Sequence, residues 1–289
     1  MEGDSQTMDE VKSFHVTDDQ SFLIGGRKMT LIGGPCSIEG WNMCDEVAGT
    51  VKKICDQLNI NYIFKGSFDK ANRSNLHAGR AVGISKGLQI LNDIKEKYSI
   101  PVTTDVHETY QCEEVAKVVD VIQIPAYLCR QTDLILGAAR TGKVVNVKKG
   151  QFMAPWNMDN VIEKIESCCN EKIILCERGS SFGYNRLVVD MQGLAIMRSF
   201  GYPVFLDATH SVQTPGSGKE FTSGNREFVP QLINAGLAVG IDGIFAEIHP
   251  DPDHAISDGP SQLYLRDMEK ILTNAKRYDD LTKSIRFEK

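Results

Sequence analysis

The chain has 289 residues, 24% charged and 42% hydrophobic, with 25 glycines and 10 prolines, a usage that excludes disordered, collagen-like and low-complexity proteins. Its 32 Lys and Arg against 38 Asp and Glu leave a net charge of −6, which argues against a nucleic-acid-binding protein as a whole. Any bound anion must therefore be held by a local cluster of cations.

The first twenty residues are acidic and polar and carry no charged-then-apolar signal pattern. No apolar run approaches the ~18 residues of a membrane span, so a soluble, cytoplasmic protein with no membrane or nucleic-acid partner is expected. The eight cysteines (36, 44, 55, 112, 129, 168, 169, 176) form no C-x-x-C pair and read as reduced thiols. Residues 1–28 form an N-terminal extension. Within it Phe14-His-Val and Phe22-Leu-Ile flank Asp18-Asp19 and predict a short hairpin capping a barrel.

Eight short apolar runs follow: Met29–Gly33, Asn61–Lys65, Pro101–Asp105, Val121–Pro125, Val144–Lys148, Lys172–Cys176, Pro203–Asp207 and Gly243–Glu247. Near-continuous apolarity over so few residues is the pattern of parallel strands covered on both faces. Between them lie amphipathic stretches, such as Val47, Val51, Ile54, Cys55 and Leu58 on one face and Val161, Ile162 and Ile165 on another. Further helices are expected near 80–97, 109–119, 130–141, 190–200, 225–240 and 262–277. Eightfold alternation without a Pro- or Ser-rich linker predicts one (β/α)8 TIM barrel over 29–289. A doubly wound sheet would open on G-x-G-x-x-G, whereas Gly33-Gly34-Pro35 is followed by Cys-Ser.

In such barrels the chemistry sits where the strands end. Here the strand ends deliver Cys36; Lys65 with Lys70, Asn72 and Arg73; Asp105 and His107; Gln123; Lys148-Lys149; Glu177-Arg178; Asp207 and His210; and Glu247 and His249, with Asp258 beyond. Lys65, Lys70, Lys148 and Arg178 converge on one mouth and make a site for phosphate and carboxylate groups. Each alone would read as a solvated strand end. Cys36, His210, Glu247 and Asp258 form a second group, one thiolate, one imidazole and two carboxylates, suited to a divalent Zn, Fe, Mn or Co ion. Spacing alone leaves Cys36 equally readable as a small buried hydrophobe and His210 as a hydrogen-bonded histidine. Thr214–Asn225, rich in Gly and Ser, reads as a mobile lid or a plain loop. Cys168-Cys169 read as packing residues. Trp156 reads as a wall of the site or as rim packing.

At this point the motifs match a family. Phe64–Ser74 (FKGSFDKANRS) resembles the signature of the 3-deoxy-D-manno-octulosonate 8-phosphate (Kdo8P) synthases. The resemblance runs on through Thr104–Glu108, Ile124–Leu134, Asn146–Phe152, Glu177–Gly179, Phe182–Asn185, Asp207–Ser211 and Ser257–Pro260, spanning roughly residues 29–265. It implies condensation of phosphoenolpyruvate with D-arabinose 5-phosphate and water to Kdo8P and phosphate. DAHP synthases and sialic acid synthases, which use other aldehydes, are the near alternative; Asp69–Ser74 stands where DAHP synthases carry Lys-Pro-Arg-Thr. The resemblance implies that Lys65, Lys148 and Arg178 hold the phosphoenolpyruvate phosphate and carboxylate, with Lys70 near the reacting atoms. It places Asn72, Arg73 and Ser74 on the pentose phosphate, and Asp105 and Gln123 along the site. Arg130 is implied at a subunit boundary of a homotetramer. Cys36 after Gly-Pro, with Gly150 and Ala154-Pro155-Trp156, resembles the metal-dependent class, in which Cys36, His210, Glu247 and Asp258 hold the ion; His210 and Asp258 are expected to move protons as well. Tyr127 stands where many members have Phe. A Schiff-base aldolase using Lys148 and a non-catalytic binding barrel are the rival readings from other classes.

Overall fold

The structure is a computed structural model that describes residues 10–71, 79–214 and 223–287. Eight parallel strands run in chain order: β1 (Thr30–Gly34), β2 (Asn61–Lys65), β3 (Val102–Asp105), β4 (Val121–Ile124), β5 (Val144–Lys148), β6 (Ile173–Glu177), β7 (Val204–Asp207) and β8 (Gly243–His249). Each pairs with the next, and β8 pairs with β7 on one side and β1 on the other. That closure removes every edge and excludes the doubly wound sheet, which stays open. Helices α1 (Trp41–Gln57), α2 (Ile84–Tyr98), α3 (Gln111–Ala116), α4 (Thr132–Arg140), α5 (Asp159–Glu166), α6 (Met191–Arg198), α7 (Val229–Val239) and α8 (Met268–Phe287) alternate with the strands.

The expected elements are all present, with shifted ends. The first strand starts at Thr30, the sixth ends at Glu177, and the eighth runs to His249. The third and seventh begin one residue after their prolines, which lack the N–H a ladder needs. The last helix reaches Phe287, beyond the expected 277, and its final turns carry a buried Asp279–Lys283 ion pair. Cys168 packs partly buried against the core, but Cys169 is exposed with φ 57 at the end of α5, so it is not a packing residue.

Two apolar layers explain why the strands read as unbroken hydrophobic runs. Ile32, Ile63, Val121, Val144, Ile174, Cys176, Phe205 and Phe245 fill the barrel interior. Their strand neighbours Leu31, Phe64, Ile122, Val145, Leu175, Leu206 and Ile244 pack outward against the helices. A fully buried aliphatic side chain contributes roughly 1.5–3 kcal/mol, so both faces drive folding. The period of two survives nonetheless. Two residues beyond the inward Ile63, Val121, Val144, Phe205 and Phe245 stand Lys65, Gln123, Asn146, Asp207 and Glu247. The interior therefore turns from apolar to polar at the C-terminal end.

Phe14–His15 pairs antiparallel with Leu23–Ile24, and Thr17, Asp19 and Ser21 close the turn between them. Phe14, Val16 and Ile24 join the interior cluster, so this hairpin packs onto the barrel filling. Among the described residues no helix is long and apolar enough to cross a membrane.

Candidate active site

The polar ends of the strands meet in one buried network. Gly34 ends β1 with its backbone against the Lys65 carbonyl, an approach that leaves no room for a Cβ. This close approach lays the Pro35-Cys36 turn over the end of β2. Lys65, fully buried, then donates to Pro35 O (3.2 Å), Cys36 O (2.7 Å) and Glu247 Oε1 (3.2 Å). Burial raises the Glu247 carboxyl, but His210, Lys65 and Lys70 outweigh it and hold it at about 2.

Cys36, Glu247 and Asp258 offer ligand atoms that all lie within 4.8 Å of one another. Burial, with Glu247 and Asp258 adding to it against Lys70 and Lys65, pushes the Cys36 thiol well above its ordinary value. It therefore stays protonated at neutral pH and donates to Asp258 Oδ2 at 3.1 Å. His210 approaches two of the three: its Nε2 is 3.7 Å from Glu247 Oε1 and 3.9 Å from Asp258 Oδ2. Its Nδ1 lies 2.7 Å from Asp207 Oδ2, which orients the ring with Nε2 toward the carboxylates. Glu247 Oε2 is buried without a hydrogen-bond partner among the described residues.

The cations line the other side. Lys148 pairs with Asp207 and lies over the Phe245 ring. Burial raises Asp207, yet His210, Lys148 and Arg178 drive it well below the usual carboxylate range. Lys70 donates to Ser67 Oγ (3.1 Å), and Ser67 donates in turn to Asp105 Oδ1. Burial lowers Lys70, but Cys36, Asp105, Glu247 and Asp258 together raise it, so it is fully charged. Arg178 donates through one terminal nitrogen to Gln213 Oε1 at 3.0 Å. Its other, NH1, is buried with no partner among the described residues. A buried guanidinium N–H without an acceptor is a donor waiting for an anion.

Asp105 and Gln123 sit opposite each other on β3 and β4, and Asn146 on β5 donates to Gln123 Oε1 at 3.1 Å. The structure thus gathers Cys36, Lys65, Lys70, Asp105, Gln123, Lys148, Arg178, His210, Glu247 and Asp258 at one end of the barrel. Arg130 makes none of these contacts: its side chain is exposed, and its carbonyl accepts from Lys164 at 3.2 Å. Asn72, Arg73 and Ser74 lie outside the described residues, as do 215–222 of the expected lid. Trp156 is exposed on a 3-10 turn, Pro155–Met158.

Several site residues escaped the sequence reading. Ser67, Gln213 and Gln262 are neutral; Ser67 lies inside the Phe64–Ser74 motif, whereas nothing in the sequence around Gln213 and Gln262 marks them. Gln262 accepts from Cys36 N at 3.2 Å and donates to Ser257 O at 2.7 Å, while Ser37 and Ser257 hydroxyls meet at 2.8 Å. These contacts stitch the loop after β1 to the loop carrying Asp258. His107 was visible as a strand-end residue; its Nε2 lies 3.0 Å from Asp105 Oδ2. Against burial, that hydrogen bond raises the imidazole above its ordinary 6.5.

A closed parallel barrel with a polar, cation-lined mouth is shared by many enzymes, and comparison with known proteins resolves which. Residues 13–284 match the DAHP synthetase I family, and the chain belongs to it. Within that family it is similar to proteins named 2-dehydro-3-deoxyphosphooctonate aldolase. That of Fusobacterium nucleatum is 57% identical over 92% of this chain and 96% of its own, and that of a Cyanothece species is 56% identical over 89% and 94%. The Rickettsia bellii protein of the same name is 53% identical over 88% and 93%.

Proposed function

We propose that the chain condenses phosphoenolpyruvate with D-arabinose 5-phosphate and water, releasing phosphate and forming 3-deoxy-D-manno-octulosonate 8-phosphate, the activity for which these relatives are named. The observation that carries the reading is the buried Arg178 guanidinium with an unused N–H, set in a mouth that also holds Lys65, Lys70 and Lys148. Four cations gathered inside a protein of net charge −6 suit a pair of substrates that carry several negative charges and would otherwise repel.

In the reaction the enol carbon forms a bond to the aldehyde carbon, a water oxygen adds to the adjacent carbon, and the C–O bond to phosphate breaks. Arg178 and Lys148 hold the phosphate and carboxylate of phosphoenolpyruvate by contact. Lys65 has its ammonium directed to two carbonyls and Glu247, so it contributes to the same anion chiefly through its field. Lys70 stands between Ser67 and the thiol-carboxylate group, beside the reacting atoms. Asn72, Arg73 and Ser74 take the pentose phosphate, and Asp105 and Gln123 line the path between the two ends. Arg130, exposed on its own chain, reaches a neighbouring subunit of a homotetramer. His210 Nε2 and Asp258 hold or move the proton of the incoming water.

The donor set also fits a divalent ion of the Zn, Fe, Mn or Co type. One sulfur and two carboxylates converge, an imidazole nitrogen is oriented toward them, and one carboxylate oxygen is buried without a partner. Cys36, His210, Glu247 and Asp258 would hold it, a donor set that supports the metal-dependent reading. When bound, the ion supplies Lewis acidity for the aldehyde oxygen or the water.

The test is phosphate release from phosphoenolpyruvate with arabinose 5-phosphate, with and without a chelator. Turnover that collapses with chelator and returns with Mn2+ or Zn2+ is expected. Turnover with erythrose 4-phosphate but not the pentose would move the chain to a DAHP synthase. A borohydride-trapped adduct on Lys148 would replace the reading with a Schiff-base aldolase.

A further inference from the structure

Gln213 connects the two halves of the mouth. Its Oε1 accepts from Arg178 NH2 at 3.0 Å, and its Nε2 donates to Asp258 Oδ1 at 3.1 Å. The side chain is buried, and its orientation is dictated by its neighbours. A guanidinium only donates and a carboxylate only accepts, so the amide can bridge them one way round. Its dipole lies with its negative end on the cation and its positive end on the anion.

The backbone of Gln213 is fixed to the same loop that carries Asp258. Gln213–Thr214 pairs antiparallel with Ser223–Gly224, and Asn225 N donates to Val212 O at 3.2 Å. Gly224 packs so tightly on Ser261 that an added Cβ would come within 2.9 Å of the serine Cβ. Arg226 then donates to Gly259 O at 2.7 Å. Gln213, Gly224 and Arg226 are therefore each docked on 258–261 by a separate contact. A shift of Asp258 moves the amide, and a shift of the amide moves Arg178.

We infer that Gln213 is a positioning residue that couples the guanidinium holding phosphoenolpyruvate to the carboxylate holding the divalent ion, so that each ligand tightens the binding of the other. The inference rests on the proposed function, since it takes Arg178 as the anion holder and Asp258 as an ion ligand. By linkage the two tightening factors must be equal.

The experiment uses the full chain. Free Mn2+ is followed by electron paramagnetic resonance with and without phosphoenolpyruvate, and phosphoenolpyruvate binding is followed by calorimetry with and without Mn2+. The unsubstituted chain should show a mutual enhancement of roughly 5-fold or more, the usual lower range of site-to-site coupling. Gln213→Met removes both hydrogen bonds and should bring the enhancement to about one. Gln213→Glu keeps an acceptor for Arg178 but turns a carboxylate onto Asp258. It should leave phosphoenolpyruvate binding without metal largely intact while abolishing the enhancement, a split that general loosening of the fold would not produce. Enhancement undiminished in both folded variants, or two ligands binding the unsubstituted chain independently, overturns the inference alone. Failure of the unsubstituted chain to bind phosphoenolpyruvate overturns the functional reading beneath it.

Discussion

Replacing Lys65 by methionine tests how the mouth is held together. The substitution keeps the length and apolar stem while removing the ammonium that Pro35 O, Cys36 O and Glu247 share. Two routes give the magnitude. Removing one partner of a buried ion pair costs about 3–5 kcal/mol, because the other charge stays behind without compensation. Independently, Glu247 is held at about 2 against an ordinary 4.5, which is worth about 3 kcal/mol of folding stability at neutral pH. Lys65 shares that effect with His210 and Lys70, so a loss of about 1–3 kcal/mol is expected. For a chain of this size the melting temperature should fall by roughly 2–6 °C. The assay is calorimetry at one scan rate on Lys65→Met, Glu247→Gln and the double variant. Because Glu247→Gln removes the stranded charge, the double variant should recover part of the loss, with a coupling of roughly 1–3 kcal/mol. A single variant melting within 1 °C of the parent, or strictly additive losses, would refute the account.

Three further outcomes follow from the same geometry. Arg178→Lys keeps the charge but loses the planar fork, so KM for phosphoenolpyruvate should rise roughly 10- to 100-fold; an unchanged KM removes Arg178 from the anion site. The Asp105–His107 pair makes a pH prediction. The raised imidazole contributes stability that is fully present below its ordinary 6.5 and is lost as pH rises through its higher folded value. Against burial, His107, Lys70 and Lys65 hold Asp105 below its ordinary 3.8, so its contribution is present above 3.8 and lost only in stronger acid. The stability gap between the parent and Asp105→Asn, measured by denaturant unfolding, should thus be widest between 3.8 and 6.5 and narrow toward pH 9; a flat gap rejects the pairing. Gly25→Ala places a Cβ against the Lys12 carbonyl at φ 84 and should destabilise the chain by roughly 1 kcal/mol or more with KM unchanged, since the hairpin packs at the apolar end of the barrel. A shifted KM would show that the hairpin communicates with the mouth.

How much of this was legible in the sequence depended on whether a residue's role is local. The strands were legible because burial on both faces writes a short apolar run that needs no partner to be read. Their ends were less so: proline delayed β3 and β7 by one residue, and the turn over β2 was set by Gly34 meeting a carbonyl from another strand. The thiol and carboxylates of the candidate ion site could be named from strand ends, yet Cys36 and Asp258 are 222 positions apart and meet only because the barrel closes.

The four cations show where sequence reading stops in physical terms. As letters they are equivalent, each a positive charge at or just past a strand end. In the fold they divide according to which strand, two places round the barrel, supplies an acceptor. The closing strand β8 puts Glu247 beside Lys65, and β7 puts Asp207 beside Lys148. Lys149, one residue on, donates to Gly150 O, Met153 O and Ser180, a role in holding a turn rather than a ligand. Arg178 meets a neutral amide through one terminal nitrogen, and the other is buried with no hydrogen-bond partner among the described residues. The capacity to grip an anion by contact is thus set by what the strands across the mouth leave unpaired, and that property belongs to the closed barrel and not to any segment of the chain.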